Sequence, residues 1–443
     1  MLGLGRSGAA VSRLLHGAGA RIYASDNGDT PEMRAEADSL RALGVDAHAG
    51  GHDLGRITQA AAVIVSPGVP PGAPWLMQAR GRGVPILSEV EVALEWLPTT
   101  TIIGVTGTNG KSTVTSLVDH LLRATGYDSV AAGNIGTALS EIALRLSPPA
   151  FAALELSSFQ LHDTPGIRPR AGVLTNLAPD HLDRYADVEE YYADKMLLFR
   201  NARDASAWVT NADDAQVQRR VAGVRGRHFG FSLRDANAAA GPSVKTGGWQ
   251  LFGHELMAPQ DNQLLGLHNV ANVLAASLAV AAVVPVDSDD ARAALRAGIR
   301  SFRSLPHRLE VVAESGGALW INDSKATNVS SSLVAIEGMT RPTIVLLGGR
   351  HKGEPYHSLI PALRIHAKLV IAYGEAAARI EADLGPDVPL VRLGSSFEEV
   401  MERARAAAKP GDAVLLSPAC SSYDMFANFE ERGKAFRRFA QPQ

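Results

Sequence analysis

The segment Thr101–Thr113 carries the residue types of a nucleoside triphosphate site. It starts as an apolar run, turns through Gly107 and Gly110, and ends in Lys-Ser-Thr. Apolar residues then recur at helical spacing, so strand, glycine loop and helix follow one another as a phosphate-binding loop requires. Such a loop points successive backbone N–H groups at one anion, and the helix N-terminus adds partial positive charge. The segment therefore predicts an ATP site.

Within this loop, Lys111 is placed to reach the terminal phosphates, and Ser112 or Thr113 to hold magnesium. The match is imperfect, because Val105 stands where the usual GxxxxGK[ST] pattern has its first glycine. The alternative is a solvated glycine turn with a surface lysine. The strand before the loop and the helix after it favour the ATP site.

Length and composition limit the class of protein that contains this site. The chain has 443 residues, 46% hydrophobic and 20% charged, with a net charge of −3. These values predict a globular protein of about three domains and give no electrostatic case for nucleic acid or an anionic membrane. The single cysteine, Cys420, excludes an intramolecular disulfide and fits a cytoplasmic protein. We find no signal peptide and no apolar run long enough to span a bilayer.

Hydrophobic and turn patterns divide the chain into three α/β units, at 1–96, 97–298 and 299–443. The first is predicted as Rossmann-like, the second as a P-loop ATPase-type parallel sheet, and the third as a Rossmann-like doubly wound sheet. The glycine-rich stretch 241–262 is predicted as a β-hairpin or an irregular segment.

The first unit opens with Gly3-Leu-Gly-Arg-Ser-Gly8, which fits the dinucleotide fingerprint, and Asp26 follows at ribose distance. Only Met1 and Leu2 precede it, too few for the usual first strand. We expect either that the natural start lies upstream or that the domain lacks much of its central strand. A nucleoside diphosphate satisfies this site as well as NAD does.

Polar residues follow the predicted strands of the other two units. Glu155, Asn176, Asp180 and His181 should converge on the phosphate loop, because ligands gather at the carboxyl ends of parallel strands. Lys195 lies on a predicted helix, 188–200. In the third unit the polar clusters are Asn322–Asn328, Gly348–Gly353 and Ser417–Asp424.

Taken together, these motifs resemble the Mur ligases, the ATP-dependent peptide-forming family of peptidoglycan synthesis. The resemblance covers essentially the whole chain and includes Gly107–Thr113, Glu155–Gln160, Asn176–Asp183, His307-Arg308 and Asn322–Asn328. Ser417-Pro-Ala-Cys-Ser-Ser422 and the later Asn428-Phe-Glu-Glu-Arg-Gly433 point to the D-glutamate-adding branch. The implied substrates are ATP, UDP-N-acetylmuramoyl-L-alanine and D-glutamate, joined through an acyl phosphate.

The resemblance also implies two magnesium ions and a set of site residues. It places Ser112 and Glu155 on one ion, and His181 and Lys195 on the other, with Lys195 converted to a carbamate. The implied catalytic residues are Lys111, Glu155, His181, Lys195 and Lys325. The implied ATP-binding residues are Gly107, Thr108, Asn109, Gly110, Lys111, Ser112, Thr113, Asn269, Asn272, Arg308 and Asp323. The UDP-substrate residues are Arg6, Ser7, Asp26, Asn27, Gly68 and Asn134, and the D-glutamate residues are Thr327, Lys352, Ser422 and Phe429.

Each assignment has a simpler alternative. Without the resemblance, Lys195 is interpreted as an ordinary helix-face lysine, Asn269 as a capping residue, and Arg6, Arg350 and His351 as solvated loop residues.

The rival functions are another Mur ligase, a folylpolyglutamate synthetase or an NAD-dependent oxidoreductase. The last leaves Lys111, Glu155, His181 and Lys325 without a role. We expect a monomer in the bacterial cytoplasm, with no nucleic acid or membrane partner.

Overall fold

A computed structural model describes residues 1–69, 72–181 and 184–441. The chain divides into two compact units. The first comprises Met1–Pro259 and Asn272–Arg300, and the second comprises Gln260–Ala271 and Ser301–Gln443.

The N-terminal part of the first unit alternates short helices and strands. Its elements are α1 (Arg6–Gly17), β1 (Tyr23–Asp26), α2 (Pro31–Ala42), β2 (Asp46–Ala49), α3 (Leu54–Thr58), β3 (Val63–Val65), α4 (Pro74–Gly81), β4 (Ile86–Ser88) and α5 (Glu89–Leu94). Strands β1 and β2 pair in parallel, as do β3 and β4. Leu2 makes parallel bridges to Ser25 and Val65, so it lies between the two pairs where a central strand would run.

The rest of the first unit is built around a larger sheet. Its elements are β5 (Thr101–Thr106), α6 (Lys111–Ala124), β6 (Ser129–Gly133), α7 (Leu139–Ala143), β7 (Phe151–Glu155), α8 (Ser158–His162), β8 (Ala171–Leu174), α9 (Val188–Met196), β9 (Ala207–Asn211), α10 (Ala215–Val221), β10 (Arg227–Phe231), β11 (Ala240–Pro242), β12 (Trp249–Leu251), β13 (His254–Met257), α11 (Leu267–Ala281) and α12 (Asp289–Ser301). Helices α11 and α12 each cross the boundary between the two units.

In this sheet the strand order is β13-β12-β11-β10-β9-β8-β5-β7-β6. Strands β5 to β11 pair in parallel, and β12 and β13 add an antiparallel hairpin. Strands β7 and β8 are buried along their whole length, as parallel strands covered on both faces must be. Since β5 lies between β7 and β8, the loops that follow these three strands meet at one edge of the sheet.

The second unit repeats this architecture. Its further elements are β14 (Glu310–Ser315), β15 (Ala318–Asn322), α13 (Val329–Glu337), β16 (Thr343–Gly348), α14 (Ile360–His366), β17 (Ala367–Tyr373), α15 (Ala377–Leu384), β18 (Leu390–Arg392), α16 (Phe397–Ala407), β19 (Ala413–Leu416) and α17 (Phe429–Ala440). The strand order is β14-β15-β19-β16-β17-β18, parallel except for β14. Strands β15, β19 and β16 are neighbours, so their polar carboxyl ends also meet at one edge.

The predicted helix 188–200 is confirmed as α9 with a short 3-10 turn after it, and the predicted hairpin in 241–262 is confirmed as β12 and β13. The sequence patterns do not predict β2, β9, β10 or β14. Two of these, β2 and β10, carry charged or histidine side chains that are partly exposed, and β14 is an edge strand, so their apolar patterns are weak. Of the helices described here, none is long and apolar enough to cross a bilayer.

The packing of the central sheet generates a stability prediction. A Cβ at Gly172 in β8 would lie 2.6 Å from Cζ3 of Trp208, which is fully buried. We expect Gly172→Ala to destabilise the protein by about 1–3 kcal/mol, because an overpacked core must shift. Thermal melting measures the loss.

Gly17→Ala is the matched control, since a Cβ at the end of α1 has no neighbour within 4 Å. It should change stability by less than about 0.5 kcal/mol. Equal melting temperatures for the two variants would contradict the packing argument.

Candidate active site

The loop after β5 depends on glycine at two positions. Gly107 has φ +143° and Gly110 has φ +83°, both in the range that other residues avoid. A Cβ at Gly107 would lie 1.9 Å from Oγ1 of Thr175, and one at Gly110 would lie 2.5 Å from Oδ1 of Asn272. The loop therefore lies directly against two neighbouring polar side chains, one of which is the predicted ATP residue Asn272.

Residues after β8 hold the tip of this loop by hydrogen bonds. The backbone N–H of Asn109 donates to Oδ1 of Asn176 at 2.9 Å, and Nδ2 of Asn176 donates to the Asn109 carbonyl at 3.1 Å. The Thr175 hydroxyl donates to the same carbonyl at 2.6 Å. The Thr108 hydroxyl donates to the Ala178 carbonyl at 3.0 Å. The expected convergence of Asn176 on the phosphate loop is thus present.

Lys111 opens helix α6, and its ammonium group bends back over the loop. Nζ donates to the carbonyls of Gly107 at 3.0 Å and Thr108 at 2.7 Å. Gly110 caps the helix without a side chain. Helix dipole, loop amides and Lys111 together concentrate positive charge at one point, which suits a polyphosphate.

Glu155, at the end of β7, joins this point from the other side. It is 3% exposed, accepts a hydrogen bond from the Ser112 hydroxyl, and accepts a second from Nδ2 of Asn134 at 3.0 Å. A carboxylate and a hydroxyl in direct contact provide the hard oxygen donors that magnesium prefers. The donor groups of Ser112 and Glu155 therefore fit the magnesium ion that the sequence predicts for them.

Lys195 on α9 is almost fully buried, at 1% exposure. Nζ donates to the Gly107 carbonyl at 2.7 Å and lies 4.4 Å from the centre of the Tyr191 ring. Burial, and next the positive charge of Lys111, hold the pKa of Lys195 well below its usual value, although Asp180, Glu155 and Asp194 act in the opposite direction. A neutral amine at this position is the form that reacts with carbon dioxide.

His181 follows the same strand edge in a left-handed conformation, with φ +57°. Its backbone N–H donates to Oδ1 of Asp180 at 2.9 Å, and its ring lies edge-on to Phe159 and Tyr191. The Tyr191 hydroxyl donates to Oγ1 of Thr108 at 3.4 Å, so aromatic contacts connect His181 to the loop. The last two residues of the quoted motif, Leu182 and Asp183, lie outside the described residues.

Three of the predicted UDP-substrate residues line one open cleft of about 200 Å³, namely Arg6, Ser7 and Asn134. The Arg6 guanidinium donates to the Gly136 carbonyl, and Oγ of Ser7 lies 3.3 Å from Oγ of Ser66. Asp26, Asn27 and Gly68 are not part of this lining as described. Asp26 instead accepts from the backbone N–H groups of Leu4 and Gly28, both at 2.8 Å, and so fixes the glycine loop.

The remaining predicted nucleotide residues lie in the second unit. Nδ2 of Asn269 donates to the Leu265 carbonyl at 2.7 Å. Asp323 is buried and accepts from the Ser417 hydroxyl at 2.8 Å and the Leu309 N–H at 3.2 Å, while burial raises its pKa to about 7. Arg308 lies in the turn that Asp323 holds, between His307 (φ +64°) and Leu309 (φ +43°).

The predicted amino-acid residues gather on the loops after β15, β16 and β19. Nζ of Lys325 lies 3.9 Å from the centre of the Phe429 ring, and Nζ of Lys352 donates to Oγ1 of Thr327 at 3.3 Å. Ser422 is buried, whereas Lys325 and Lys352 are exposed. Two ammonium groups, two hydroxyls and an aromatic ring at adjacent strand ends suit an anionic small molecule.

Comparison with known proteins now bears on these sites. Three family models match: a MurD-like Mur ligase N-terminal domain at 1–88, a Mur ligase middle domain at 105–280, and a Mur ligase glutamate ligase domain at 307–420. A protein of Anaeromyxobacter dehalogenans named UDP-N-acetylmuramoylalanine–D-glutamate ligase is 41% identical over 459 residues, covering 100% of this chain and 97% of that protein. A protein of the same name from Salinibacter ruber is 38% identical, with the same coverage. The chain belongs to the Mur ligase family.

Solved Mur ligase structures share the fold at low sequence identity. The UDP-N-acetylmuramate–alanine ligase MurC of Thermotoga maritima has a TM-score of 0.63 at 18% identity and covers 99% of this chain and 97% of its own. MurF of the same organism, described in complex with ADP, has a TM-score of 0.62 at 17% identity, covering 88% and 99%. The predicted three-domain α/β architecture of a Mur ligase is confirmed.

Sequence reasoning missed one central residue of this Mur ligase. Arg432 on α17 is fully buried and donates to the carbonyls of Ser324 at 2.9 Å and Cys420 at 3.1 Å, and to the Ser324 hydroxyl at 3.0 Å. A further contact reaches the Gly348 carbonyl at 3.3 Å. Arg432 therefore joins the three loops that carry the predicted amino-acid residues. The available signal was its position on the apolar stripe of α17, between Phe429 and Phe436.

Burial of Lys195 generates a prediction about pH. Because the folded-state pKa lies below the unfolded value, the unfolded chain binds more protons, and this residue destabilises the fold at neutral pH. The penalty shrinks as pH rises towards 10. In bicarbonate-free buffer, Lys195→Met should therefore melt about 2 °C or more above the parent at pH 7, with a smaller difference at pH 9.

Lys245→Met is the control, since Lys245 is exposed. It should show no such pH-dependent gain. A lower melting temperature for Lys195→Met at every pH would refute a strained, neutral Lys195.

Proposed function

We propose that this chain is an ATP-dependent amide ligase that adds D-glutamate to UDP-N-acetylmuramoyl-L-alanine, releasing ADP and phosphate. The observation that carries this proposal is full-length identity of 35–41% to relatives named for that reaction. The phosphate loop supports it, because activating a carboxylate consumes a nucleoside triphosphate. The reaction belongs to the synthesis of peptidoglycan precursors.

The chemistry explains why the positive charge lies at the loop. A carboxylate is a poor electrophile, and transfer of the γ-phosphoryl group gives it a leaving group. Both partners are anions, so the transfer needs clustered positive charge. Lys111 and the N-terminus of α6 supply it in the first unit, and Lys325 is assigned the same task. The amine of D-glutamate then displaces phosphate from the acyl phosphate to form the amide bond.

We assign Ser112 and Glu155 to one magnesium ion, and His181 and Lys195 to a second. Magnesium neutralises phosphate charge when bound. Lys195 needs an oxygen-bearing form to serve as a ligand, and its neutral amine supports conversion to a carbamate. A related fold gives the divalent metal a precedent: a bifunctional folylpolyglutamate synthase/dihydrofolate synthase is described with manganese, AMPPNP and L-glutamate bound, at 18% identity and a TM-score of 0.57.

Substrate binding follows the groups of residues described above. Arg6, Ser7 and Asn134 hold the UDP-substrate in the cleft, with Asp26, Asn27 and Gly68 assigned to the same ligand. Thr327, Lys352, Ser422 and Phe429 bind D-glutamate. The nucleotide contacts are assigned in the following set: Gly107, Thr108, Asn109, Gly110, Lys111, Ser112, Thr113, Asn269, Asn272, Arg308 and Asp323.

We keep the domain boundaries 1–96, 97–298 and 299–443, and we propose a cytoplasmic monomer.

The rival from another class is an NAD-dependent oxidoreductase, suggested by the Gly3–Gly8 fingerprint. It gives no role to the contact between Ser112 and Glu155 or to the buried amine of Lys195. Phosphate release separates the two functions. Turnover should need ATP, UDP-N-acetylmuramoyl-L-alanine and D-glutamate together, and tight NAD binding without any turnover would overturn the ligase.

Lys111→Ala tests the loop. We expect kcat to drop about 10²- to 10³-fold or more, because the positive charge nearest the transferred group is lost. Lys245→Ala removes an exposed lysine and should keep the parent rate. Near-normal turnover by Lys111→Ala would exclude its catalytic role.

The carbamate has its own test, independent of turnover. Protein equilibrated with ¹³C-bicarbonate should give a carbamate carbon resonance, because a neutral lysine amine adds carbon dioxide. Lys195→Arg should lose this resonance and Lys245→Arg should keep it. A resonance of equal intensity in both variants would assign the carbamate to another lysine.

A further inference from the structure

Three side chains of the second unit form a hydrogen-bonded chain that the reaction does not use. The hydroxyl of Tyr356 lies 3.0 Å from Nδ1 of His351 and 2.9 Å from Sγ of Cys420. Tyr356 is 1% exposed and Cys420 is fully buried, while His351 is half-buried. Acyl phosphate chemistry needs no thiol, so the role of this cluster must be sought in the loops that it connects.

The cluster connects two of the loops at the edge of the sheet. His351 lies in the loop after β16 and directly precedes Lys352, and Cys420 lies in the loop after β19, two residues before Ser422. The same loops also pair through their backbones. The Arg350 N–H donates to the Ser421 carbonyl at 2.9 Å, and the Ser421 N–H donates back at 3.2 Å.

Tyr356 is itself held in place independently of the two loop contacts. Its backbone N–H donates to Oδ2 of Asp383 on α15 at 3.1 Å. Its ring belongs to the apolar core that includes Leu359 and Leu363. The position of the hydroxyl is therefore fixed by the core, and both loops hydrogen-bond to it.

The thiol and the phenol of this chain are both uncharged. Burial raises the pKa of the Cys420 thiol to about 11, and burial likewise raises the pKa of the Tyr356 hydroxyl above its usual value. Both groups keep their protons at neutral pH. In either direction along the chain the phenol donates one hydrogen bond and accepts one, so the cluster holds no buried charge at Tyr356 or Cys420.

We propose that Tyr356 is a positioning residue that sets the separation of Lys352 and Ser422, and thereby the affinity of the enzyme for D-glutamate. The proposal rests on the proposed function and deepens it. We expect Tyr356 to influence the loop after β15 as well, because Lys352 donates a hydrogen bond to Thr327 in that loop. Loss of the hydroxyl leaves the backbone pairing at Arg350 and Ser421 but frees the loop segments on either side.

The alternative is that Tyr356 only fills space in the core. The two roles separate cleanly, because Tyr356→Phe keeps the ring and removes only the hydroxyl. A space-filling residue would tolerate this change. A positioning residue would lose both contacts at once, and the loss would appear in the binding of one substrate rather than in all three.

The test is steady-state kinetics on the full chain. For Tyr356→Phe we expect the KM for D-glutamate to rise about 5- to 10-fold, the size expected for about one lost hydrogen bond. The kcat and the KM values for ATP and the UDP-substrate should stay within about twofold. Cys420→Ala should give a smaller rise, and Cys420→Ser should stay near the parent because a hydroxyl still hydrogen-bonds.

A double variant and a control sharpen this result. Tyr356→Phe/Cys420→Ala should be no worse than Tyr356→Phe, since the contact is already lost. Tyr127→Phe makes the same chemical change in the first unit and should leave all constants unchanged. An unchanged KM for D-glutamate in Tyr356→Phe, or an equal rise for all three substrates, would overturn the proposal.

Backbone amide hydrogen exchange tests the positioning role separately, because its measurement does not depend on ligase activity. Backbone amides of 348–354 and 417–424 should exchange faster in Tyr356→Phe than in the parent, while those of β16 and β19 stay protected. Faster exchange in Tyr356→Phe than in the parent, together with a parent that lacks ligase activity, would support loop positioning and refute the proposed function. Unchanged exchange in both loops would refute the positioning role.

Discussion

Two lysines meet on one carbonyl oxygen, and the first unit depends on this contact. Lys111 and Lys195 both donate to the carbonyl of Gly107, at 3.0 and 2.7 Å. Burial holds the pKa of Lys195 well below its usual value, and the nearby positive charge of Lys111 lowers it further. The arrangement requires glycine at position 107, helix α9 to place Lys195 against the loop, and the hydrogen bonds from Asn176 that hold the loop at Asn109. It places a reactive amine beside the point where phosphate charge collects.

The second unit holds its loops with buried polar side chains. The residues assigned to D-glutamate lie on loops at the ends of neighbouring parallel strands, and loops by themselves are mobile. Buried polar side chains hold these loops from below. Arg432 joins three of them through carbonyl oxygens, and Tyr356 joins two through its hydroxyl. In both units the residues assigned to substrates are thus carried by loops that buried and half-buried hydrogen bonds hold in shape.

Much of this could be predicted from the chain itself. The phosphate loop, the strands that end at Glu155 and Leu416, and helix α9 follow from strong local patterns, in which apolar period and glycine position agree. Strands β9 and β10 escaped prediction, since β10 leaves its first residues exposed and β9 is a short buried run whose apolar pattern does not distinguish a strand from a helix. Arg432 escaped because charged residues are expected at the surface, and only its neighbours reveal that its guanidinium donates to four carbonyls and one hydroxyl in the interior.

The sequence by itself determined the architecture and the chemistry of the nucleotide loop, because these depend on residue types a few positions apart. It also placed Ser112, Glu155 and Lys195 in the order that the family motif requires. Only the tertiary structure decided that burial lowers the pKa of Lys195, that Asp26 fixes a glycine loop, and that the Tyr356 hydroxyl joins His351 to Cys420. Such properties arise from burial and from contacts between residues far apart in the chain, and no local pattern encodes them.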